Sequence, residues 1–330
     1  NRTYEQMARG LYGALIVEEP EQAPEVDEDI VLLIDDWRLD ETAQIAEDFG
    51  NMHDWSHAGR IGNWLTVNGD GAWSQTLPRH ARLRLRLVNT ANARIFALNL
   101  RGLEGWVVAL DGMPLEAPSP IDQLVLAPAQ RADLIVDLVA EEGEDAMIAS
   151  PTRGGLLRVA TFPVQGSLRS EPGPAPQALP PNPVPALGPL EDARQAELVM
   201  QGGAMGGMGH AMMGGESKGI RDLAAAGKIW AFNGRVDLSD QPLIEANRGE
   251  TIRIRIANDT AWPHAMHLHG HHFRQIRADS STGPLRDTLL MDRQETAEIA
   301  FVADNPGDWL LHCHMLEHSS GGMMSWLRVS

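Results

Sequence analysis

The sequence predicts an all-β chain folded as two tandem β-sandwiches. Three observations carry this. Short β-favouring runs are punctuated by turn residues, one series of strand motifs occurs twice in the same order, and helical periodicity is scarce.

The runs are Ile30–Ile34, Leu83–Val88, Leu124–Leu126, Leu134–Leu138, Thr251–Ala257 and Ala297–Val302, with Gly, Pro, Asn and Asp between them. Gly13–Val17 near the start reads as a further apolar strand, and Leu223–Ala226 is the best short helix.

The repeat is the stronger signal. Trp64-Leu-Thr-Val-Asn-Gly69 returns as Ile229-Trp-Ala-Phe-Asn-Gly234, and Leu83-Arg-Leu-Arg-Leu-Val-Asn-Thr90 as Ile252-Arg-Ile-Arg-Ile-Ala-Asn-Asp259. Leu124–Val136 returns loosely as Thr288–Ala300. Two copies of one sandwich are therefore expected, over 19–165 and 228–330. Residues 166–227 between them read as a linker. Glu171–Pro189 is proline-rich and favours extended chain, and Met200–Gly215, with five methionines among glycines, is expected to be mobile.

Composition narrows the function. Of 330 residues, 27 are Lys or Arg and 45 Asp or Glu, a net charge of −18. Such a surface repels nucleic acid and anionic lipid. No stretch is long and apolar enough to form a membrane span. The one cysteine, Cys313, excludes an intrachain disulfide and raises the question of why that thiol is kept.

Its neighbours answer. One motif is His264-Ala-Met-His267-Leu-His269-Gly270-His271-His272, and the other is His312-Cys313-His314-Met-Leu-Glu-His318 followed by Gly321-Gly322-Met323. Strand side chains alternate between faces. His267, His269, His312 and His314 can thus converge on one side. His264 and Cys313 meet on the other, where the following loop can bring His318 and Met323. One thiolate, two imidazoles and a weak thioether form the ligand set of a blue-copper site. Zinc also takes His and Cys, but the methionine and the two-faced arrangement favour copper. The first copy is an internal control: aligning Asn89 with Asn258 puts Ile95, Leu98 and Leu100 where the second has His264, His267 and His269. Folding alone does not require the imidazoles.

These paired motifs resemble the two C-terminal copper motifs of the multicopper oxidases, which include laccases, cuprous oxidases and ascorbate oxidase. The resemblance covers essentially the whole chain and implies tandem cupredoxin-like Greek-key β-sandwiches. Residues 1–18 resemble the end of a first cupredoxin domain, 19–165 the copper-free middle domain and 228–330 the copper-binding last domain. It implies His264, Cys313, His318 and Met323 as type 1 copper ligands, His267 for the type 2 copper, and His269, His312 and His314 for the type 3 pair. Cys313, His312 and His314 would form the catalytic electron path from the type 1 copper to the trinuclear cluster. The implied activity couples one-electron oxidation of Cu(I) or a small phenolic compound to reduction of dioxygen to water, in a periplasmic or secreted enzyme.

The sequence departs from the family pattern in two places. The family's cluster takes four further histidines from the first domain, so the chain is expected to be a fragment whose missing N-terminal cupredoxin domain leaves it inactive alone. The position after His318, often acidic and linked to proton relay in bacterial relatives, is Ser319, with Glu317 nearby. Methionine-rich inserts like Met200–Gly215 occur in cuprous oxidases of the family, where acidic and methionine residues before the first type 1 histidine bind substrate copper. Here that stretch is Asp259-Thr260-Ala261-Trp262-Pro263, without a thioether.

The remaining candidates read as structural. His271 and His272 follow the motif without a ligand role, His53 and His57 have a spacing that could hold a metal but better suits loop packing, His80 suits a surface position, Asp287 a pinned loop and Asp111-Gly112 a turn. Two rival functions stand beside the oxidase. The missing histidines favour a copper-binding or electron-transfer protein without oxidase chemistry for this polypeptide as it stands, but histidines on both sides of Cys313 argue against it for the parent; a nitrite-reductase-like two-domain enzyme would need only one of them.

Overall fold

The computed structural model describes residues 2–18, 23–152 and 154–330. The predicted boundary at residue 19 lies outside the described residues. The chain forms two compact units. One holds Gly10–Ile45 and Gly62–Asn182, the other Asn1–Arg9, Ala46–Ile61 and Pro183–Ser330.

The first unit is a β-sandwich of β1 (Glu28–Trp37), β2 (Trp64–Val67), β3 (Leu77–Arg79), β4 (Arg82–Asn89), β5 (Phe96–Arg101), β6 (Leu103–Leu110), β7 (Met113–Pro120), β8 (Leu124–Leu126), β9 (Arg131–Leu138), β10 (Asp145–Thr152) and β11 (Gly155–Ser167). One sheet runs β2-β1-β4-β9-β6-β7 and the other β3-β11-β10-β5-β8. Alternation in β4 explains the layering. Leu83, Leu85 and Leu87 are fully buried, each stabilising by roughly 1.5–3 kcal/mol. Between them Arg82, Arg84 and Arg86 pair with Asp137, Asp133 and Asp29.

The second unit contains α1 (Thr3–Ala8), α2 (Met52–Ser56), β12 (Arg194–Gly202), β13 (His210–Met213), β14 (Glu216–Gly219), α3 (Ile220–Ala225), β15 (Trp230–Phe232), β16 (Ile244–Ala246), β17 (Thr251–Asn258), β18 (His264–Leu268), β19 (Phe273–Ile276), β20 (Thr282–Arg286), β21 (Thr288–Met291), β22 (Thr296–Val302), β23 (Gly307–Cys313), α4 (Leu316–Ser320) and β24 (Met324–Val329). Its sheets run β15-β12-β17-β22-β19-β20 and β16-β24-β23-β18-β21. Strand for strand this is the order of the first unit, with β12 in the place of β1, β18 of β5 and β23 of β10.

The repeated asparagines show why the copies fold alike. Asn68 and Asn233 both adopt positive φ, +53° and +50°, as a tight Asn-Gly turn requires. Each then clamps the neighbouring strand through its amide: Asn68 to Leu33 N and Val31 O, Asn233 to Val199 N and Glu197 O. Asn89 and Asn258 likewise each donate to two carbonyls beyond their strand ends.

Several expectations need correction. β12 lies inside the 166–227 stretch read as a linker, yet it pairs in parallel with β17 and buries Leu198 and Met200. Its apolar alternation is weaker than that of β1, so the run escapes notice. Within the methionine-rich segment, expected to be mostly mobile, Met200–Gly202 end β12 and His210–Met213 form β13, which pairs with β14 just beyond the segment. Gly13–Val17 forms no strand. Leu15 and Val17 are 90% and 78% exposed, because the run does not alternate and pairs with no sheet. His80 is buried, not superficial, with φ +62° and Nδ1 bonded to the Arg169 carbonyl at 2.8 Å. Ala46–Ile61, placed by the sequence in the first sandwich, belongs to the second compact unit.

Candidate metal centre

β18 and β23 are antiparallel neighbours in register Met266↔Cys313, His267↔His312 and Leu268↔Leu311. Opposed residues share a face, and the period of two adds His264 to the Met266–Cys313 side and His269 to the His267–His312 side. After Cys313 the chain turns through α4, which carries His318. The Met323 amide donates to the His318 carbonyl (3.1 Å), and its own carbonyl accepts from Cys313 N (3.2 Å). These bonds bring the fully buried Met323 back beside the cysteine. The return is tight. Gly322 has φ +124°, and a Cβ on Gly321 would lie 2.8 Å from Trp230 Cδ1, so both positions suit glycine.

His264, Cys313 and His318 place their ligand atoms within 4.8 Å of one another, and all three are buried. Cys313 Sγ lies 3.6 Å from His264 Nδ1 and 3.7 Å from His318 Nδ1, and the two Nδ1 atoms are 3.1 Å apart. The far side of each ring fixes its tautomer. His318 Nε2 faces the His57 carbonyl at 2.7 Å, so that nitrogen carries the proton. His264 Nε2 meets Thr260 Oγ1 at 2.9 Å, and this hydroxyl donates onward to Asn258 Oδ1 at 2.7 Å. Both Nδ1 lone pairs therefore point at one spot beside a thiol. The one thiol proton can satisfy only one of them.

Burial lowers both imidazoles, His318 to about 4 and His264 well below the ordinary range, and raises the Cys313 thiol to about 12. Uncharged donors facing inward in a dry pocket fit a soft cation that displaces the thiol proton. The set of one sulfur, two nitrogens and a buried thioether fits copper. Trp230 walls the pocket, with its ring centroid 5.1 Å from that of His264 and 4.4 Å from that of His318.

On the opposite face His269 Nε2 and His312 Nε2 are 3.0 Å apart. The His267 ring centroid lies 4.8 Å from His269 and 5.7 Å from each of His312 and His314. His267 Nδ1 donates to the Asp287 carbonyl and His312 Nδ1 to the Cys313 carbonyl, both at 2.9 Å, which leaves their Nε2 lone pairs free for a metal. Burial holds His269 and His312 below the ordinary imidazole range and His314 at about 4.

The other singled-out residues lie outside both donor sets, though some touch them. His271 is buried against Phe301 and Trp309, and His272 lies 3.9 Å from the Asp287 carboxylate. Asp111-Gly112 is the turn between β6 and β7. Asp287 orients His267 besides pinning its loop. Ser319 Oγ is 3.4 Å from His312 Nδ1, and Glu317 is buried. Sequence reasoning missed Thr260, Trp230 and the His57 carbonyl. A signal for Trp230 existed, since its partner in the first copy of the repeat is Leu65, another mismatch between aligned positions.

Comparison with known proteins agrees with this geometry. Family models described as multicopper oxidase match residues 28–163 and 216–330. The chain is similar to the multi-copper oxidase structure from Pseudomonas parafulva, with 30% identity and a TM-score of 0.78 over 99% of this chain and 74% of that one. It is also similar to Lac15 from a marine microbial metagenome, with 39% identity and a TM-score of 0.75 over 100% and 72%. Multicopper oxidase MmcO of Mycobacterium tuberculosis is 26% identical over 96% of this chain and 66% of its own length, and multicopper oxidase mco of Staphylococcus haemolyticus 22% over 82% and 53%. The chain thus spans between half and two thirds of these curated relatives. With two matching family models and a relative of this identity and coverage, the chain belongs to the multicopper oxidase family.

Proposed function

We propose that this chain carries the electron-accepting copper site of an oxidase. His264, Cys313, His318 and Met323 would hold a type 1 copper. His267 would serve a type 2 copper, and His269, His312 and His314 a type 3 pair. Bound copper supplies a one-electron couple on one face and dioxygen reduction on the other. The observation that carries the reading is the convergence of two inward Nδ1 lone pairs on a buried thiol, back to back with four imidazoles.

The chain's own work is positional. Carbonyls of His57, Asp287 and Cys313 and the Thr260 hydroxyl keep the distal imidazole protons in place. Trp230, fully buried against His264 and His318, shields that face from water. His312, Cys313 and His314 are consecutive, so the covalent chain itself links the two faces. The reaction is one-electron oxidation of a donor, Cu(I) or a small phenol, coupled to reduction of dioxygen to water. Four of the cluster's imidazoles are gathered here, and the complete oxidase draws the others from elsewhere. No helix among the described residues is long and apolar enough to cross a membrane. The reading carries with it a periplasmic or secreted location.

Copper titration followed by visible absorption tests this. An intense blue band saturating at one copper on the Cys313 face is expected. Copper uptake without such a band would overturn the type 1 assignment.

A further inference from the structure

The distal nitrogen of His318 is closed off by the chain itself. Three consecutive carbonyls at the end of α2 dock onto the copper-site sandwich: Trp55 O accepts from Trp230 Nε1 (2.6 Å), Ser56 O from Ala204 N (2.7 Å) and His57 O from His318 Nε2 (2.7 Å). These are carbonyls that a helix end leaves without partners, so α2 is anchored at its C-terminus. Asn51 caps its start by accepting from Asp54 N. With the His57 carbonyl in place, no outside molecule can hydrogen-bond that nitrogen.

The other imidazole leads to the same spot. His264 Nε2 bonds Thr260 Oγ1, which contacts the Trp262 carbonyl at 3.1 Å, and the Trp262 ring meets the His57 ring edge to face at 5.1 Å. His57 in turn stacks on His53 with centroids 4.2 Å apart and planes 11° from parallel. His53 is 79% exposed, so its outer face is open. Contacts running outward from both imidazoles thus meet at one aromatic patch made of His53, His57 and Trp262.

We propose that this patch is where the electron donor binds, and that the donor is a planar phenol stacked on the His53–His57 pair instead of bonded to His318. The proposal rests on the type 1 copper reading above and names its donor class. An exposed ring already stacked on a second ring offers a flat face to a third, and a phenol there lies against the His57 main chain that touches His318. The phenol loses one electron to the oxidised metal site and its hydroxyl proton to water.

The probe is 2,6-dimethoxyphenol. In the metal-free protein, imidazole resonances of His53 and His57 should shift saturably as it is added, while His318 Nε2–H stays slow to exchange with solvent. In the copper-loaded protein, reduction followed by bleaching of the visible band should saturate with phenol. The half-saturating concentration should rise about fivefold in His53→Ala and further in His53→Ala/His57→Ala, the worth of a lost aromatic contact, with the absorption spectrum unchanged. His53→Ala alone removes an exposed side chain and keeps the test available if the double variant misfolds. A visible band with no phenol-dependent shift at His53 or His57, or an unchanged half-saturating concentration, overturns the patch and leaves the copper reading standing. Absence of the band overturns both.

Discussion

His264 and His318 turn their Nδ1 atoms toward each other at 3.1 Å while each is gripped from behind, one by a hydroxyl and the other by a carbonyl. Nitrogen lone pairs so close repel unless a cation lies between them. The shape of this donor set therefore depends on the groups that hold each ring from behind, the Thr260 hydroxyl and the His57 carbonyl.

Thr260→Val keeps the shape of the side chain but removes the acceptor for His264 Nε2–H in a fully buried setting. Such outer partners are worth roughly 10–100-fold in metal affinity. Copper affinity, measured by competition with a chelator, should fall by about that factor, and the unfolding free energy of the metal-free protein by about 1–3 kcal/mol. Unchanged affinity would show that the hydroxyl does not orient the ring.

Cys313→Ser should abolish the intense visible band, because that band needs a copper–thiolate bond. The serine hydroxyl is hard and stays protonated in this pocket, so copper on this face should also be held more weakly. The four imidazoles of the opposite face are untouched by the change. Electron paramagnetic resonance should thus retain any copper bound there, and its loss as well would mean the strand had collapsed.

Met323→Leu conserves volume at a fully buried position and should cost less than about 1.5 kcal/mol. Removing the thioether should raise the reduction potential of the site, read by redox titration of the visible band. A potential that stays put would place Met323 outside the ligand set.

The first sandwich carries a separate pH signature. Asp35 is buried beside Asp36 and accepts from the Tyr12 hydroxyl, and burial raises its carboxyl to about 7. The unfolded carboxyl titrates near ~4, so between these values the folded chain holds the extra proton. Stability contributed here is fully present below pH ~4, declines as pH rises through about 7 and then levels off. Hydrogen-exchange protection of β1 and β4 should fall over that window, and Asp35→Asn should flatten the profile. A slope that persists in Asp35→Asn assigns it to another group.

Much of this protein could be read from its residues in order. The alternation of Leu83, Leu85 and Leu87 against arginines, and of Ile252, Ile254 and Ile256 against the same, determined which faces are buried, because side chains on a strand alternate with period two. The same period separates His264 and Cys313 from His267, His269 and His312. Only the tertiary structure decided what lies behind each imidazole. The His57 carbonyl reaches His318 across 261 positions of sequence, and every residue carries a carbonyl, so no pattern of side chains could mark that one. Likewise β12 joins its sheet because β17 offers it an edge to pair with in parallel, not because its own residues announce a strand. Local periodicity encodes faces, whereas partners distant along the chain are chosen by the packing of the whole domain.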